Sequence, residues 1–375
     1  MKRRFGWRLV ARTRVLAVVG ATLALGACNV IPYYSQAIAG EFSLLRAARP
    51  IDDWLRDPAT PEALRTQLRL AAQIRVFASR EIGLPDNDSY RRYADLHRSS
   101  ALWNVFAAPA DSLELKTWCY PLIGCAAYRG YFERAAAQSL AANLAQAGLD
   151  TYVAPVPAFS TLGWFADPLL NTFVQWPEPE LARLIFHELA HQIVYVRDDT
   201  RFNESFATCV ERAGLARWVA SRDDASLREQ YGLYQQRHAD VLQLLQQTRT
   251  ALAQAYAPAL APAERVLRKE RAFAQMLANY RAVRDQRWGG YRGYDAFFET
   301  PWNNARIAAM AAYTDEVPAF DALLARENGD LPRFFAQVRR IAALPQVDRN
   351  AALRALAPAA PAEQTAAVAT PLAPQ

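Results

Sequence analysis

Residues 187 to 191 read His-Glu-Leu-Ala-His and lie inside an apolar run with helical spacing, residues 179–196. Four residues advance an α-helix by slightly more than one turn, so His187 and His191 project from the same face. Two imidazoles placed in this way can bind one zinc ion, and Glu188 points about 100° around the helix towards the open side of that ion. The motif therefore predicts a helix here and a neighbouring element that completes a metal site; two core histidines and a surface glutamate are the alternative.

A catalytic zinc site needs a third protein ligand and an open position for water. His97 lies far upstream and His238 lies in a polar segment, so carboxylates that follow the motif are the candidates. They are Asp198, Asp199, Glu204 and Glu211. The two aspartates occupy a polar turn, where such residues favour turn formation or helix capping. Glu204, in the first turn of the next predicted helix, is the preferred ligand, and Glu211 is the alternative ligand or an acceptor for a histidine N–H.

The N-terminal 27 residues have the composition of an export signal peptide. Six basic residues precede the first acidic residue, Glu41, and residues 15–27 form an apolar stretch too short to span a bilayer comfortably. The formal net charge of +6 thus belongs to the export segment, and the chain that remains after its removal is neutral. We therefore expect no nucleic-acid partner.

The segment Leu-Gly-Ala-Cys that ends at Cys28 resembles a bacterial lipobox, whose cysteine is lipidated and becomes the mature N-terminus. We expect removal of residues 1–27 and membrane attachment through Cys28. By resemblance to exported lipoproteins, Asn29 favours the outer membrane of the bacterial cell envelope, with the protein facing the periplasm. An ordinary signal peptide with a chance cysteine is the alternative. In this oxidising compartment, Cys119 and Cys125 bracket a short loop and are expected to form a disulfide.

Helical periodicity through most of residues 28–356 predicts a mainly α (α+β) fold in one domain. One predicted helix spans residues 128–147, and a long antiparallel helical hairpin spans about 225–287, with the role of a scaffold, a lid or a partner-binding arm. The clearest extended segment, residues 151–165, predicts a small sheet. Because Pro155 and Pro157 cannot donate ladder hydrogen bonds, part of this segment must be an edge strand. Residues 357–375, rich in Ala and Pro, are expected to be disordered.

The motif followed by Asn-Glu-Ser-Phe-Ala at residues 203–207 resembles the gluzincin metallopeptidases, whose third zinc ligand is the Glu of Asn-Glu-Gly-Phe-Ala. Here the connection from His191 to Glu204 is shorter, and Ser205 replaces the glycine. The chain is more similar to a family of bacterial lipoproteins described as predicted aminopeptidases, which it resembles along nearly the whole mature length. This resemblance implies a zincin-like metallopeptidase core with one Zn²⁺ and a peptide or protein substrate.

The expected reaction is hydrolysis of peptide bonds, in which Glu188 activates a zinc-bound water and later protonates the leaving amine. Tyr313 is the expected oxyanion donor, with a core tyrosine as the alternative. Strand addition, or else a plain structural strand, is expected at Ser160, Thr161, Leu162, Gly163 and Trp164.

An aminopeptidase needs an acidic group for the substrate's amino terminus, and Asp167 and Glu211 are available for this role. An envelope zinc endopeptidase and a non-catalytic lipoprotein with a zinc-stapled helix pair are the alternative functions. The sequence leaves the oligomeric state open.

Overall fold

A computed structural model of the chain describes residues 36, 40, 42–120, 124–158, 160–312 and 315–357. The predicted signal peptide, Cys28, Tyr313 and all but the first residue of the predicted disordered tail lie outside the described residues. The described part is mainly helical with small sheets, so the prediction of a mainly α (α+β) fold is confirmed. None of its helices combines the length and the apolar character needed to cross a bilayer.

Within the described residues, a helical segment at residues 42–47 is followed by twelve helices in chain order. They are α1 (Ile51–Arg56), α2 (Glu62–Arg80), α3 (Arg134–Gln146), α4 (Glu178–Ala190), α5 (Thr200–Ser221), α6 (Ala225–Ala255), α7 (Pro262–Gln286), α8 (Asp295–Glu299), α9 (Asn304–Ala312), α10 (Val317–Arg326), α11 (Leu331–Ala342) and α12 (Gln346–Leu356). The eight strands in the described part of the chain are β1 (Arg49–Pro50), β2 (Arg92–Ala94), β3 (Leu102–Pro109), β4 (Trp118–Tyr120), β5 (Gly124–Ala126), β6 (Arg129–Tyr131), β7 (Leu149–Val156) and β8 (Leu169–Leu170).

The longest strands, β3 and β7, belong to a three-stranded antiparallel sheet with the order β6-β3-β7. Every residue of β3 pairs with β7, from Leu102 opposite Val156 to Pro109 opposite Leu149. Because β7 has one neighbour among the described strands, it is an edge strand, as Pro155 predicted. A second sheet has the order β1-β2-β8, and β4 and β5 form a hairpin in which Cys119 is disulfide-bonded to Cys125.

The predicted strand does not continue through residues 160–164, so that part of the prediction is wrong. The edge strand ends at Val156, and the segment that follows is a turn with positive φ at Leu162 and Gly163. Side chains accept hydrogen bonds from the backbone of this turn: the N–H of Thr161 donates to Asp167, and the N–H of Leu162 donates to the Ser160 hydroxyl. A strand ladder cannot form where these donors are already used.

The helix predicted for residues 128–147 is also corrected at its N-terminal end. Residues Arg129–Tyr131 form β6, which pairs with β3, and the helix begins at Arg134. The aromatic residues in and beside this short segment, Tyr128, Tyr131 and Phe132, are half-buried, so they fit the face of the sheet as well as the pattern of a helix. Pairing with a long neighbouring strand decides between the two.

The largest hydrophobic cluster packs α4 and α5 between α2 on one side and α10 and α11 on the other. Phe206 of α5 contacts the aromatic rings of Phe320, Phe334 and Phe335. On its other face α5 approaches α4 closely at Gly214, where a Cβ atom would lie 2.9 Å from the ring of Phe186. The absence of a side chain at Gly214 therefore allows the short interhelical distance that the site requires.

Candidate metal centre

Helix α4 carries both histidines of the motif to a buried face. It begins after Pro177 with acidic residues in its first turn and ends at Ala190, which leaves His191 as the C-cap. The two histidines are about nine-tenths buried, and their Nε2 atoms lie 3.2 Å apart. The predicted arrangement of two imidazoles on one face is therefore present, although the helix is shorter than the apolar run suggested.

A tightly bonded turn directs Glu204 back towards these histidines. Asp199 caps α5 by accepting a hydrogen bond from the N–H of Phe202, and Arg349 binds the same carboxylate. Asn203 accepts from the N–H of Val196 at 2.7 Å and donates to the carbonyl of that residue at 2.8 Å. The next residue is Glu204, so its direction is fixed by a turn that is bonded at both ends.

The resulting cluster fits a tetrahedral metal ion. Glu204 Oε2 lies 3.2 Å from His187 Nε2 and 3.6 Å from His191 Nε2. Zinc bonds of about 2.0–2.1 Å in tetrahedral geometry place neighbouring ligand atoms about 3.4 Å apart, close to all three separations. These residues form a possible metal site within the described residues, and their donors are those that Zn²⁺ accepts.

The electrostatics of the cluster favour a bound cation. Burial opposes the charged form of His187, but hydrogen bonds to Glu204 and Glu211 outweigh it and raise the pKa of this histidine to about 10. Burial likewise opposes ionisation of Glu204, but His191 and His187 lower the pKa of its carboxyl to about 2. The carboxylates thus favour a positive charge at the two imidazoles, and a divalent metal ion would supply one.

Glu211 lies behind His187 and does not face the two Nε2 atoms. Its Oε2 is 2.8 Å from Nδ1 of His187, and both of its carboxylate oxygens accept from Arg183 Nη1 at 3.1 Å. A proton on Nδ1, held by this carboxylate, leaves Nε2 free to bind a metal ion. The structure thus groups Glu204, and not Glu211, with the two Nε2 atoms of the possible metal site, and it places Glu211 against Nδ1 of His187.

We predict that Glu211→Gln weakens metal binding by about 10–100-fold without abolishing it, because the amide is a poorer acceptor for the imidazole N–H and a poorer partner for Arg183. Competition with a chelator at fixed pH measures the metal dissociation constant. The matched control is Glu229→Gln, the same chemical change at an exposed position on α6. An unchanged dissociation constant in Glu211→Gln would show that this hydrogen bond does not support the metal site.

The hairpin of α6 and α7 also lies close to Glu211 and Arg183. Tyr234 and His238 of α6 are stacked, with ring centroids 5.6 Å apart, and both interact electrostatically with Glu211 and Arg183. Burial lowers the pKa of His238 and favours its neutral form. One face of the hairpin thus lies beside the metal centre.

Glu188, next to His187 in the motif, has a carboxylate that is not fixed by hydrogen bonds. No described residue donates a hydrogen bond to its carboxylate, which is 9% exposed. Burial raises the pKa of Glu188, and the neighbouring histidines His187 and His191 act against this effect. A carboxylate that is held near a metal site without a fixed partner can accept and return a proton.

The turn at residues 160–164, expected to bind substrate, lies beside the C-terminal end of the motif. A Cβ atom at Gly163 would lie 3.5 Å from the side chain of Gln192, which follows His191. Trp164 projects from the turn and is 84% exposed. The substrate-binding role of this segment remains a prediction, but strand addition there is incompatible with the turn.

Sequence reasoning missed two groups near the site. Arg183 precedes His187 by one helical turn, so the spacing could have indicated that it lies on the same face. The loop that ends at Tyr90 lies about 100 residues before the motif, and its sequence carries no pattern that relates it to the metal site. The tertiary structure brings this loop to the motif, where Asn87 and Ser89 are hydrogen-bonded to Gln192, next to His191.

Comparison with known proteins gives one match. The family model described as "Putative aminopeptidase" matches residues 32–353, which include every residue of the metal centre. No curated protein and no solved structure matched the chain. Because the family model covers most of its 375 residues, the chain belongs to this family of aminopeptidase-like proteins.

Proposed function

We propose that this protein is a zinc-dependent peptidase of the bacterial cell envelope that removes residues from the amino termini of peptides. The observation that carries this proposal is the group His187, His191 and Glu204, whose ligand atoms lie within 4.8 Å of one another, beside the uncommitted carboxylate of Glu188. A structural zinc ion, which only links helices, is normally bound by four protein ligands and needs no adjacent base. The arrangement of three ligands and a nearby carboxylate therefore favours a catalytic role over a structural one.

Each residue has a distinct part in the proposed reaction. Zn²⁺, held by the two histidines and Glu204, would polarise the substrate carbonyl and acidify water. Glu188 takes a proton from the attacking water and delivers it to the leaving amine. Glu211 holds His187 in the tautomer that presents Nε2, and Arg183 holds Glu211.

The proposed location rests on the N-terminal sequence. Export followed by lipidation of Cys28 would attach the protein to the outer membrane and expose residues 29–356 to the periplasm. The disulfide between Cys119 and Cys125 suits this oxidising compartment. The β4–β5 hairpin that carries this disulfide contacts the turn before α5, where the N–H of Cys125 donates a hydrogen bond to the Asp198 carboxylate.

A metal assay and a peptide screen together test the proposal. We expect purified full-length protein in detergent to contain close to one zinc per chain. In a mass-spectrometric screen of matched peptides, it should shorten those with a free amino terminus and leave the N-acetylated forms intact. Cleavage of both sets would identify an endopeptidase, and a zinc-loaded protein that cleaves neither would indicate a structural metal site.

A further inference from the structure

The turn at residues 160–165 presents two adjacent aromatic side chains to solvent. Trp164 is 84% exposed and Phe165 is 48% exposed. The other tryptophans that the structure describes are buried or half-buried. Aromatic side chains carry large apolar areas, and an exposed apolar patch built from them is typical of a binding surface. The location of the turn indicates what binds there.

Hydrogen bonds hold the turn that carries this aromatic pair. The N–H and the hydroxyl of Thr161 donate to Asp167 at 3.0 and 2.7 Å. The N–H of Phe165 donates to the Thr161 hydroxyl at 3.1 Å, and the N–H of Trp164 donates to the Thr161 carbonyl at 3.1 Å. The backbone at both aromatic residues is therefore bonded in place before any ligand arrives, which lowers the entropic cost of binding.

The turn packs against the residue that follows the motif. A Cβ atom at Gly163 would lie 3.5 Å from Oε1 of Gln192. The N–H of Gln192 donates to the carbonyl of Leu189 at 3.1 Å, so the helical path of α4 continues to this point. Gln192 is four positions after Glu188, and residues at this spacing project from the same side of a helix. The turn therefore borders the metal centre on the side that the proposed general base occupies.

A second set of hydrogen bonds connects the turn to the motif through residues 87–90. Gln192 accepts from the side chain of Asn87 at 2.7 Å and donates to the hydroxyl of Ser89 at 3.2 Å. The N–H of Tyr90 donates to the carbonyl of Asp167 at 2.6 Å. The turn is thus fixed to the metal-binding helix both directly and through this loop, so the aromatic pair keeps its place beside the metal centre.

The composition of the segment distinguishes a peptide from a membrane as the occupant. No Lys or Arg occurs in the sequence between Arg134 and Arg183. Segments that bind anionic membrane surfaces combine aromatic residues with Lys and Arg. The segment of the aromatic pair lacks these charges, and its position beside the proposed general base favours a peptide side chain as the occupant.

We propose that Trp164 and Phe165 bind a large apolar side chain of the peptide substrate, so that peptides with an aromatic or long aliphatic residue near the cleaved bond are preferred. The inference rests on the proposed peptidase function and names the substrate class of that site. Trp164 provides the more exposed contact surface, and the apolar area buried between its ring and the substrate side chain supplies the affinity.

Two hydroxamates that differ only in their side chain test this inference without turnover. Phenylalanine hydroxamate and alanine hydroxamate share the metal-binding group and the free amine, so the ratio of their dissociation constants reports recognition of the side chain. Isothermal titration calorimetry on the zinc-loaded full-length protein in detergent should show about 10-fold tighter binding of the phenylalanine probe. In Trp164→Ala this ratio should fall by about 5-fold or more, whereas Trp164→Phe, which keeps an aromatic ring, should retain most of it.

The matched control is Val347→Ala, which shortens a side chain that is 76% exposed on α12 and should leave the ratio unchanged. The affinity of Trp164→Ala for the alanine probe, its zinc content and its melting temperature should equal those of the wild type, because the side chain is exposed. A wild-type ratio near one, an unchanged ratio in Trp164→Ala, or an equal loss of affinity for both probes would overturn the inference.

Brominated lipids test the membrane as the occupant instead. The full-length protein is reconstituted in vesicles of phosphatidylethanolamine and phosphatidylglycerol that contain brominated lipid, which quenches tryptophan fluorescence inside the bilayer. The quencher should remove no more fluorescence from the wild type than from Trp164→Phe. A larger loss in the wild type would place Trp164 in the bilayer and overturn the inference.

Peptide hydrolysis by the same wild-type sample separates this inference from the proposed function. Binding that prefers the phenylalanine probe through Trp164, without hydrolysis, would support the aromatic binding surface and contradict the proposed enzyme. Hydrolysis with a side-chain preference that does not depend on Trp164 would support the enzyme and contradict the role of Trp164.

Discussion

Replacement of Glu188 by glutamine will lower kcat by about 10²- to 10⁴-fold, the usual contribution of a general acid–base group, and leave the bound metal in place. Glutamine has nearly the same size as glutamate, but it cannot accept a proton from water at neutral pH. The carboxylate of Glu188 is not one of the three grouped ligand atoms, and it forms no hydrogen bond with another described residue. Its loss should therefore affect the chemical step and not the assembly of the site.

The measurement compares kcat, KM and zinc content of Glu188→Gln with those of the wild type and of Glu229→Gln. The control makes the same change on the exposed surface of α6 and should retain full activity. An activity in Glu188→Gln within a factor of two of the wild type would exclude Glu188 as the base. A parallel loss of zinc would instead make it a contributor to metal binding.

Replacement of Glu204 by glutamine will weaken metal binding by more than about 100-fold, a larger effect than is typical when a supporting residue behind a ligand is replaced. Glu204 is the only carboxylate among the grouped ligand atoms of the described residues, so the substitution removes the negative charge that lies beside both histidines of the proposed metal site. The activity of the variant should fall in proportion to its metal content and rise again with added zinc.

Glu211→Gln provides the internal comparison for Glu204→Gln, since both substitutions remove one carboxylate from α5 within 4 Å of His187. Chelator competition on both proteins gives the two dissociation constants. A weaker affinity in Glu211→Gln than in Glu204→Gln would exchange the roles assigned to the two residues. Equal and small effects would mean that neither carboxylate binds the metal.

Several features of the fold could be predicted because they depend on neighbours in the sequence. The spacing of His187 and His191 defines one face of a helix whatever the rest of the chain does. The apolar periodicity indicated the helices of the hairpin, and Pro155 excluded β7 from the centre of a sheet. Asp199 was expected to cap a helix or form a turn, and it caps α5.

The sequence alone could not decide whether Glu204 or Glu211 meets the Nε2 atoms of the histidines. The two residues lie seven positions apart on one face of α5, so the local pattern allows either of them to meet the histidines. The hydrogen bonds of Asn203 across the turn and the close approach at Gly214 fix the position of α5 along α4. In this position, Glu204 lies at Nε2 of His187 and Glu211 lies at Nδ1.

The sequence by itself determined the two histidines, the adjacent glutamate and the helical character of the chain, since each follows from the geometry of a few consecutive residues. The tertiary structure alone decided which carboxylate lies with the two histidines, that residues 160–164 form a turn, and that Asn87 and Ser89 are hydrogen-bonded to Gln192, next to His191. These relations join residues that are distant in the chain. Their distances are set by the packing of whole helices and loops, which no short segment encodes.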